Sequence, residues 1–428
     1  MPAAISPERP QNLITKLTNC RLVKGNTLVE EDLWISSQTG KILPAQEIFY
    51  EHQLGPDQII DLQGRIVSPG FIDSQFNGAY GFDFSTPGDV VSYQKGIKAL
   101  NQKLVQTGLT SYLPTIITQK PEVYHKALPY LGPSGQDRIP EDGAESLGAH
   151  CEGPFMSAHK KGVHNESALR EATSGFASIE QCYGAANLTA DTIKMITAAP
   201  EVEGVMESIP ELTSRGIIMS IGHTDADFEK ATEAINNGAT MITHLFNAMK
   251  PLHHRNPGIF GLLGQNYGAR RPYFGLIADG IHLHPTTVKI AWAAHPEGMV
   301  LVTDALALMG MDDGVYEWTN GDMIVKKGSN LTKQGTETLA GGCASLLQCL
   351  NNFLTWTGAP IPTGLAAVTS TPAKMLGMYP QKGTLETEAD ADLCVLSEVD
   401  VIDENGFTNR VLQVDEVWKF GKRVFERT

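Results

Sequence analysis

An α/β architecture, a (β/α)8 TIM-like barrel carrying a small β-sandwich domain, is the fold class this sequence predicts, and three observations predict it. Between residues 66 and 304, eight short β-rich segments alternate with stretches that read as helix or loop. The two ends of the chain share another texture, short β-like runs broken by Gly, Asn and Pro. Polar residues of the middle region gather where its strands end. Strands separated by helical segments pair in parallel through crossovers, and eight such units are what a closed barrel needs.

The candidate strands are IVSPGFID, LTSYLPTI, ESLGAHCE, TIKMITAA, GIIMSIGH, ATMITHLF, YFGLIADG and MVLVTDAL. One crossover is clear: after His223, DADFEKATEAINNG opens on an Asp suited to N-capping, repeats Phe228, Ala231, Ala234 and Ile235 at helical spacing, and stops at Gly238. A chain of 428 residues exceeds the ~250–300 at which single cores stop growing, so an appended domain is expected. Residues 1–64 and 381–428 are assigned to one small β domain beside a catalytic barrel of residues 65–380; the alternative is two unrelated extensions.

Composition narrows the function. With 33 Lys+Arg against 48 Asp+Glu, the net charge of −15 argues against a nucleic-acid binder, which needs a basic stripe. No apolar run approaches the ~20 residues of a spanning helix, and the start MPAAISPERPQNLITKL has neither a signal-peptide core nor an Arg-rich amphipathic pattern, so no membrane partner and a cytoplasmic location are expected. The 6 cysteines are scattered without a CxxC pair, which suits reduced, buried thiols and implies no Cys-based metal site. Small-molecule chemistry is the default.

In such a barrel the functional side chains lie at the C-terminal strand ends. There the sequence places Gln75 and Asn77, His150 and Glu152, His223, His244, Asp279 and His282, and Asp304. Glu152, His223 and His244 offer one carboxylate and two imidazoles from different strands, the ligand set of a catalytic zinc-type site with one position left open. The separations alone are no zinc fingerprint, and barrel-lining polar residues without a metal are the competing reading. His125, His159 and His295 read as surface or local structural residues. Asp304, delivered by the apolar run Val300, Leu301, Val302 and then Thr303, suits a general base and acid, against the plainer role of a helix N-cap. The planar fork of Arg255 in HLFNAMKPLHHRNPG suits phosphate or carboxylate, and in so acidic a chain a cation near the mouth would hold an anionic substrate. A solvated loop charge is the commoner reading of a lone arginine.

The blocks PGFIDSQFNG, HCEGPF, GHTDA, THLFNAM, RNPG, ADGIH, LVTDA and LAGG, in this order over roughly residues 65–345, resemble the N-acetylglucosamine-6-phosphate deacetylase family of the amidohydrolase superfamily. The resemblance implies hydrolysis of a 2-acetamido group to acetate and an amino-sugar phosphate. It places the metal on Glu152, His223 and His244 and the catalytic carboxylate on Asp304. It implies substrate contacts at Val163, Asn247, Ala248, Arg255, His282, Leu339, Ala340 and Gly341, with Arg255 and His282 on the phosphate and a homodimer in which the arginine crosses the interface. Many amidohydrolases hold two metals with His-x-His at the first strand end; here the equivalent is Gln75-Phe76-Asn77, and neutral amides are poor transition-metal ligands. One divalent ion is therefore expected, Zn2+ first and Fe2+, Co2+ or Mn2+ as alternatives. Rival functions are another reaction of the superfamily (cyclic-amide hydrolysis, deamination or deacetylation of the galactosamine epimer) and an inactive scaffold homologue. Cyclic-amide hydrolysis and deamination usually need a bridging carboxylated lysine or a full His-x-His, neither of which the sequence signals; the epimer differs by one hydroxyl that no motif reports; an inactive homologue would have lost one of the four site residues.

Overall fold

The computed structural model of the protein describes residues 13–45, 47–51, 55–265, 271–317, 323–402, 406 and 408–428. Eight parallel strands form the barrel: β1 (Phe71–Phe76), β2 (Leu109–Ile117), β3 (Ala149–Glu152), β4 (Ile193–Ala198), β5 (Ile218–Ile221), β6 (Met241–Ile242), β7 (Tyr273–Ile277) and β8 (Met299–Val302). Their residues are buried on both faces because helices cover the outside, so they read as near-continuous apolar runs; all of MVLV in β8 is buried. Individual bonds close the barrel between β8 and β1. The Asp304 N–H donates to the Gln75 carbonyl at 2.9 Å and the Asn77 N–H to the Ala305 carbonyl at 3.0 Å. The Thr303 hydroxyl donates to Asp73 Oδ2 at 2.6 Å. Closure sets the ends of the first and last strands side by side.

The segment IVSPGFID is two strands rather than one. Ile66–Pro69 pairs with Arg21–Lys24 and Leu393–Ile402 in a sheet outside the barrel, and the barrel begins at Phe71. The break has a physical cause: Pro69 has no N–H to give a ladder, and a Cβ on Gly70 would lie 2.2 Å from the Thr110 hydroxyl oxygen.

The crossovers follow local signals. Asp227 caps Phe228–Asn236 by accepting from the Lys230 N–H at 2.9 Å, and the helix buries Ala231, Ala234 and Ile235. Between β6 and β7 the described residues carry a 3-10 segment, Gly258–Gly264, in place of an α-helix. After β8 comes an element absent from the sequence-based reading, an antiparallel sheet of Gly314–Glu317, Met323–Lys327, Asn330–Lys333 and Leu339–Gly342. It carries the LAGG block back to the barrel mouth, where Ala305 bridges Gly342.

The chain ends build two further sheets. Four strands come from residues 14–61, and six combine Arg21–Lys24, Thr27–Glu30 and Ile66–Pro69 with Leu393–Ile402, Thr408–Lys419 and Lys422–Glu426. Leu17, Leu22, Leu33 and Ile35 pack with Leu393, Val395 and Trp418 in one core between them, a sandwich that needs both termini. A buried charge cluster fixes it to the barrel. Lys419 Nζ reaches Glu145 Oε1 at 2.5 Å and Asp392 Oδ2 at 2.7 Å, and Lys382 reaches Glu145 at 2.5 Å and both Asp390 and Asp392 at 2.9 Å. All six cysteines are free and buried, and no described helix is long and apolar enough to cross a membrane.

Candidate active site

Glu152 closes β3, and His223 and His244 stand just beyond the ends of β5 and β6. Backbone geometry there is unusual. His223, His244 and Asp304 all adopt left-handed φ (48°, 27° and 48°), a conformation that costs a non-glycine residue of order 1–3 kcal/mol. The strain turns each side chain off its strand toward one point. Glu152 Oε1 lies 3.3 Å from His223 Nε2 and 3.0 Å from His244 Nε2, and the two Nε2 atoms are 3.0 Å apart. Among the described residues this is the cluster of His, Cys, Asp and Glu able to hold a metal ion.

The triangle fits a cation. Bonds of about 2.0–2.1 Å to a tetrahedral ion place neighbouring ligand atoms about 3.3–3.4 Å apart, close to the observed spacing. His223 Nδ1 is committed to the Lys160 carbonyl at 2.7 Å, so its Nε2 presents a lone pair inward. Burial would push Glu152 up and His244 down, yet their mutual attraction wins: Glu152 is held well below the usual carboxylate range and His244 above the usual imidazole value. A positive charge belongs at this point.

Asp304 stands beside this triangle, partly buried and facing the cavity. Burial and then the charge of Glu152 push its carboxyl up to about 7, where it can both take and return a proton near neutrality. Both β1 amides serve carboxylates. Gln75 Nε2 donates to Glu152 Oε1 at 2.8 Å, and Asn77 Nδ2 donates to Asp304 Oδ1 at 2.7 Å. Asp73, two residues earlier on the same side of β1, accepts from the Thr303 hydroxyl and is pushed up to about 7 by burial.

A cavity of 360 Å³ opens above the triangle, and it brings together most of the residues singled out in the sequence. Asn77, Glu152, Val163, His223, His244, Asn247, Ala248, His282, Asp304, Leu339, Ala340 and Gly341 all line it. Gln75 sits behind Glu152. His282 is oriented by Asp279, whose Oδ2 is 2.7 Å from Nδ1, and burial of Asp279 is outweighed by that contact, which holds its carboxyl below the ordinary range. Glycine is required where the LAGG strand meets the mouth: Gly341 has φ 143°, and a Cβ there would lie 2.7 Å from Leu306 Cδ1. Asn77 Oδ1, His244 Nδ1 and Asn247 Nδ2 are buried without a protein partner, an unusual concentration of orphaned polar atoms in one site.

Arg255 is exposed on the loop after His244 and does not line the cavity; no Lys or Arg does among the described residues. Its loop, PLHHRNP, has few apolar anchors to fold it inward. Two residues were missed, Asp73 on β1 and His164. His164 is buried 6% exposed, its ring 4.5 Å from that of His223. The Thr118 N–H donates to its Nδ1 at 3.2 Å, which fixes the proton on Nε2, the atom 3.9 Å from Glu152 Oε2. Burial, then the neighbouring His223, pull this imidazole down to about 3, so it is a neutral donor aimed into the site. Its signal lay next to Val163, in the Gly-Val-His that follows the third strand end.

A near-closed barrel with a three-ligand metal triangle and a buried carboxylate at its mouth defines a metal-dependent hydrolase of the amidohydrolase type. The amidohydrolase family model matches residues 66–424, and the chain belongs to that family. It is 41% identical over 409 residues to the N-acetylglucosamine-6-phosphate deacetylase of Danio rerio, covering 95% of this chain and 97% of the relative. Among solved structures, the N-acetylglucosamine-6-phosphate deacetylase of Pasteurella multocida superposes with a TM-score of 0.79 at 27% identity, over 97% of this chain and all (100%) of that one. A mutant of the Mycobacterium smegmatis enzyme in complex with N-acetyl-D-glucosamine-6-phosphate gives 0.77 at 25% identity, over 97% and 100%.

Proposed function

We propose that the protein hydrolyses the 2-acetamido group of N-acetylglucosamine 6-phosphate, giving acetate and glucosamine 6-phosphate. The observation that carries this reading is the Glu152–His223–His244 triangle with Asp304 beside it, in a chain 41% identical to a deacetylase of that specificity. One divalent ion, Zn2+ first and Fe2+, Co2+ or Mn2+ as alternatives, supplies Lewis acidity at the triangle when bound. Two neutral amides, Gln75 and Asn77, in place of a His-x-His pair favour a single ion.

The chain's own residues do the rest. Asp304 takes a proton from the attacking water and returns it to the departing amine nitrogen, with Asn77 holding the carboxylate in place. His164 donates Nε2–H to the carbonyl oxygen as negative charge develops on it. The orphaned Nδ2 of Asn247, the backbone of Leu339, Ala340 and Gly341, and the flanking Val163 and Ala248 form the sugar site. His282, braced by Asp279, receives the phosphate. A second copy of the chain in a homodimer supplies Arg255, which suits the exposure of that residue and the lack of a Lys or Arg among the described residues that line the cavity. Binding the phosphate far from the amide provides energy that positions the reacting group. A cytoplasmic location fits reduced, buried cysteines.

The test is acetate release from N-acetylglucosamine 6-phosphate by the metal-loaded protein. Turnover of this substrate with none of a cyclic amide is expected; hydrolysis of a cyclic amide without acetate release replaces this reading with another of the superfamily.

A further inference from the structure

We propose that a second chamber beside the site receives the acyl group, so that the protein hydrolyses glucosamine 6-phosphates whose straight N-acyl chains are longer than acetyl. This rests on the hydrolytic reading above and extends its substrate class. A cavity of 330 Å³ adjoins the active-site cavity, and the two share Asn77, Ile117 and Leu306 as a common wall. Beyond that wall the chamber is mainly apolar, with Leu308, Met311 and Ile324 among its lining residues.

Position says which part of a substrate enters. Strand ends β6 and β7 and the LAGG strand carry the residues assigned to the sugar and phosphate, while the chamber sits over β1, β2 and the segment after β8. With the carbonyl at the metal triangle and the nitrogen at Asp304, the sugar leaves the amide on one side. The acyl chain leaves it on the other, past Asn77 and between Ile117 and Leu306. The reaction is the same hydrolysis: water oxygen bonds to the acyl carbon, the C–N bond breaks, and the proton passes through Asp304 to the nitrogen, giving a carboxylate and an amine. Asp83 and Glu317 also border the chamber, so a chain ending in a carboxylate is disfavoured there. Each methylene moved from water into such a space contributes about fourfold in binding, which offsets the steric cost of a longer chain.

The experiment compares kcat/KM for the N-acetyl, N-propanoyl, N-butanoyl and N-succinyl derivatives of glucosamine 6-phosphate, in the wild type and in Met311→Trp, which fills the chamber from a residue outside the catalytic cavity. The expected result is wild-type butanoyl activity within tenfold of acetyl and succinyl at least tenfold below butanoyl. Met311→Trp is expected to lower the butanoyl-to-acetyl ratio at least tenfold, with acetyl turnover changed less than twofold. Met311→Ala, which enlarges the chamber, raises the same ratio. Butanoyl activity below a tenth of acetyl, succinyl matching butanoyl, or a ratio unmoved by both variants overturns the proposal. Loss of turnover with every acyl group in the wild type instead overturns the hydrolytic reading on which it rests.

Discussion

Two clusters of carboxylates, one at the seam between barrel and sandwich and one at the barrel mouth, are partnered differently and serve opposite ends. At the seam, Lys382 and Lys419 are matched by Glu145, Asp390 and Asp392 at 2.5–2.9 Å, and every group has its counter-charge in the chain. Burial pushes Asp390 up, but Lys382 with Lys41 and Arg138 around it holds the carboxyl well below the ordinary range. At the mouth, Glu152 and Asp304 share a cavity with His164, His223, His244 and His282 and no Lys or Arg among the described residues, and Asp304 is pushed up to about 7. The seam is electrostatically finished, and the mouth is completed by something from outside. That is the physical difference between a structural and a reactive cluster.

Substitutions sharpen this contrast. The largest effect is expected at Asp304→Asn, where kcat falls by at least ~10²-fold while the melting temperature at pH 8 stays level or rises, because a carboxylate disfavoured by burial is removed. A fall in stability matching the fall in rate would place Asp304 with the seam. For Lys382→Met the pattern reverses: stability drops by about 3–5 kcal/mol, the cost of leaving a buried partner unpaired, with metal content per folded chain unchanged. Asp390 and Asp392 have depressed values in the folded state, so their stabilisation is complete above the unfolded value of about 4 and is lost as pH falls below it. Thermal melts from pH 6 to 3 should therefore slope less in Lys382→Met than in the wild type. The smallest effect concerns Arg255, proposed to reach the mouth from a second copy of the chain. Arg255→Ala should raise KM for phosphorylated sugar roughly tenfold, the low end for a hydrogen bond between charged groups, and leave the unphosphorylated sugar unchanged; equal effects would remove Arg255 from phosphate binding.

The barrel was legible because its strands are short apolar runs and its functional side chains follow each run directly, as Glu152, His223 and Asp304 do. Sandwich pairing was legible only as a shared texture, since the contacts between Val67 and Val395 link residues far apart in the chain. Three features escaped. The sheet over Gly314–Gly342 is amphipathic only against a barrel rim that the sequence does not display. His164 acquires its role through a backbone N–H from another loop, Thr118, which no local pattern encodes. Asp73 was the nearest miss, because period-two alternation from Gln75 and Asn77 already put it on their side of β1.

Metal titration of the stripped protein, with acetate release followed at each step, tests the triangle most directly. Activity should climb in proportion to bound ion and level off at one per chain, with His244→Ala binding none tightly and staying inactive. Full turnover without metal, or a plateau reached only at two ions, contradicts the account.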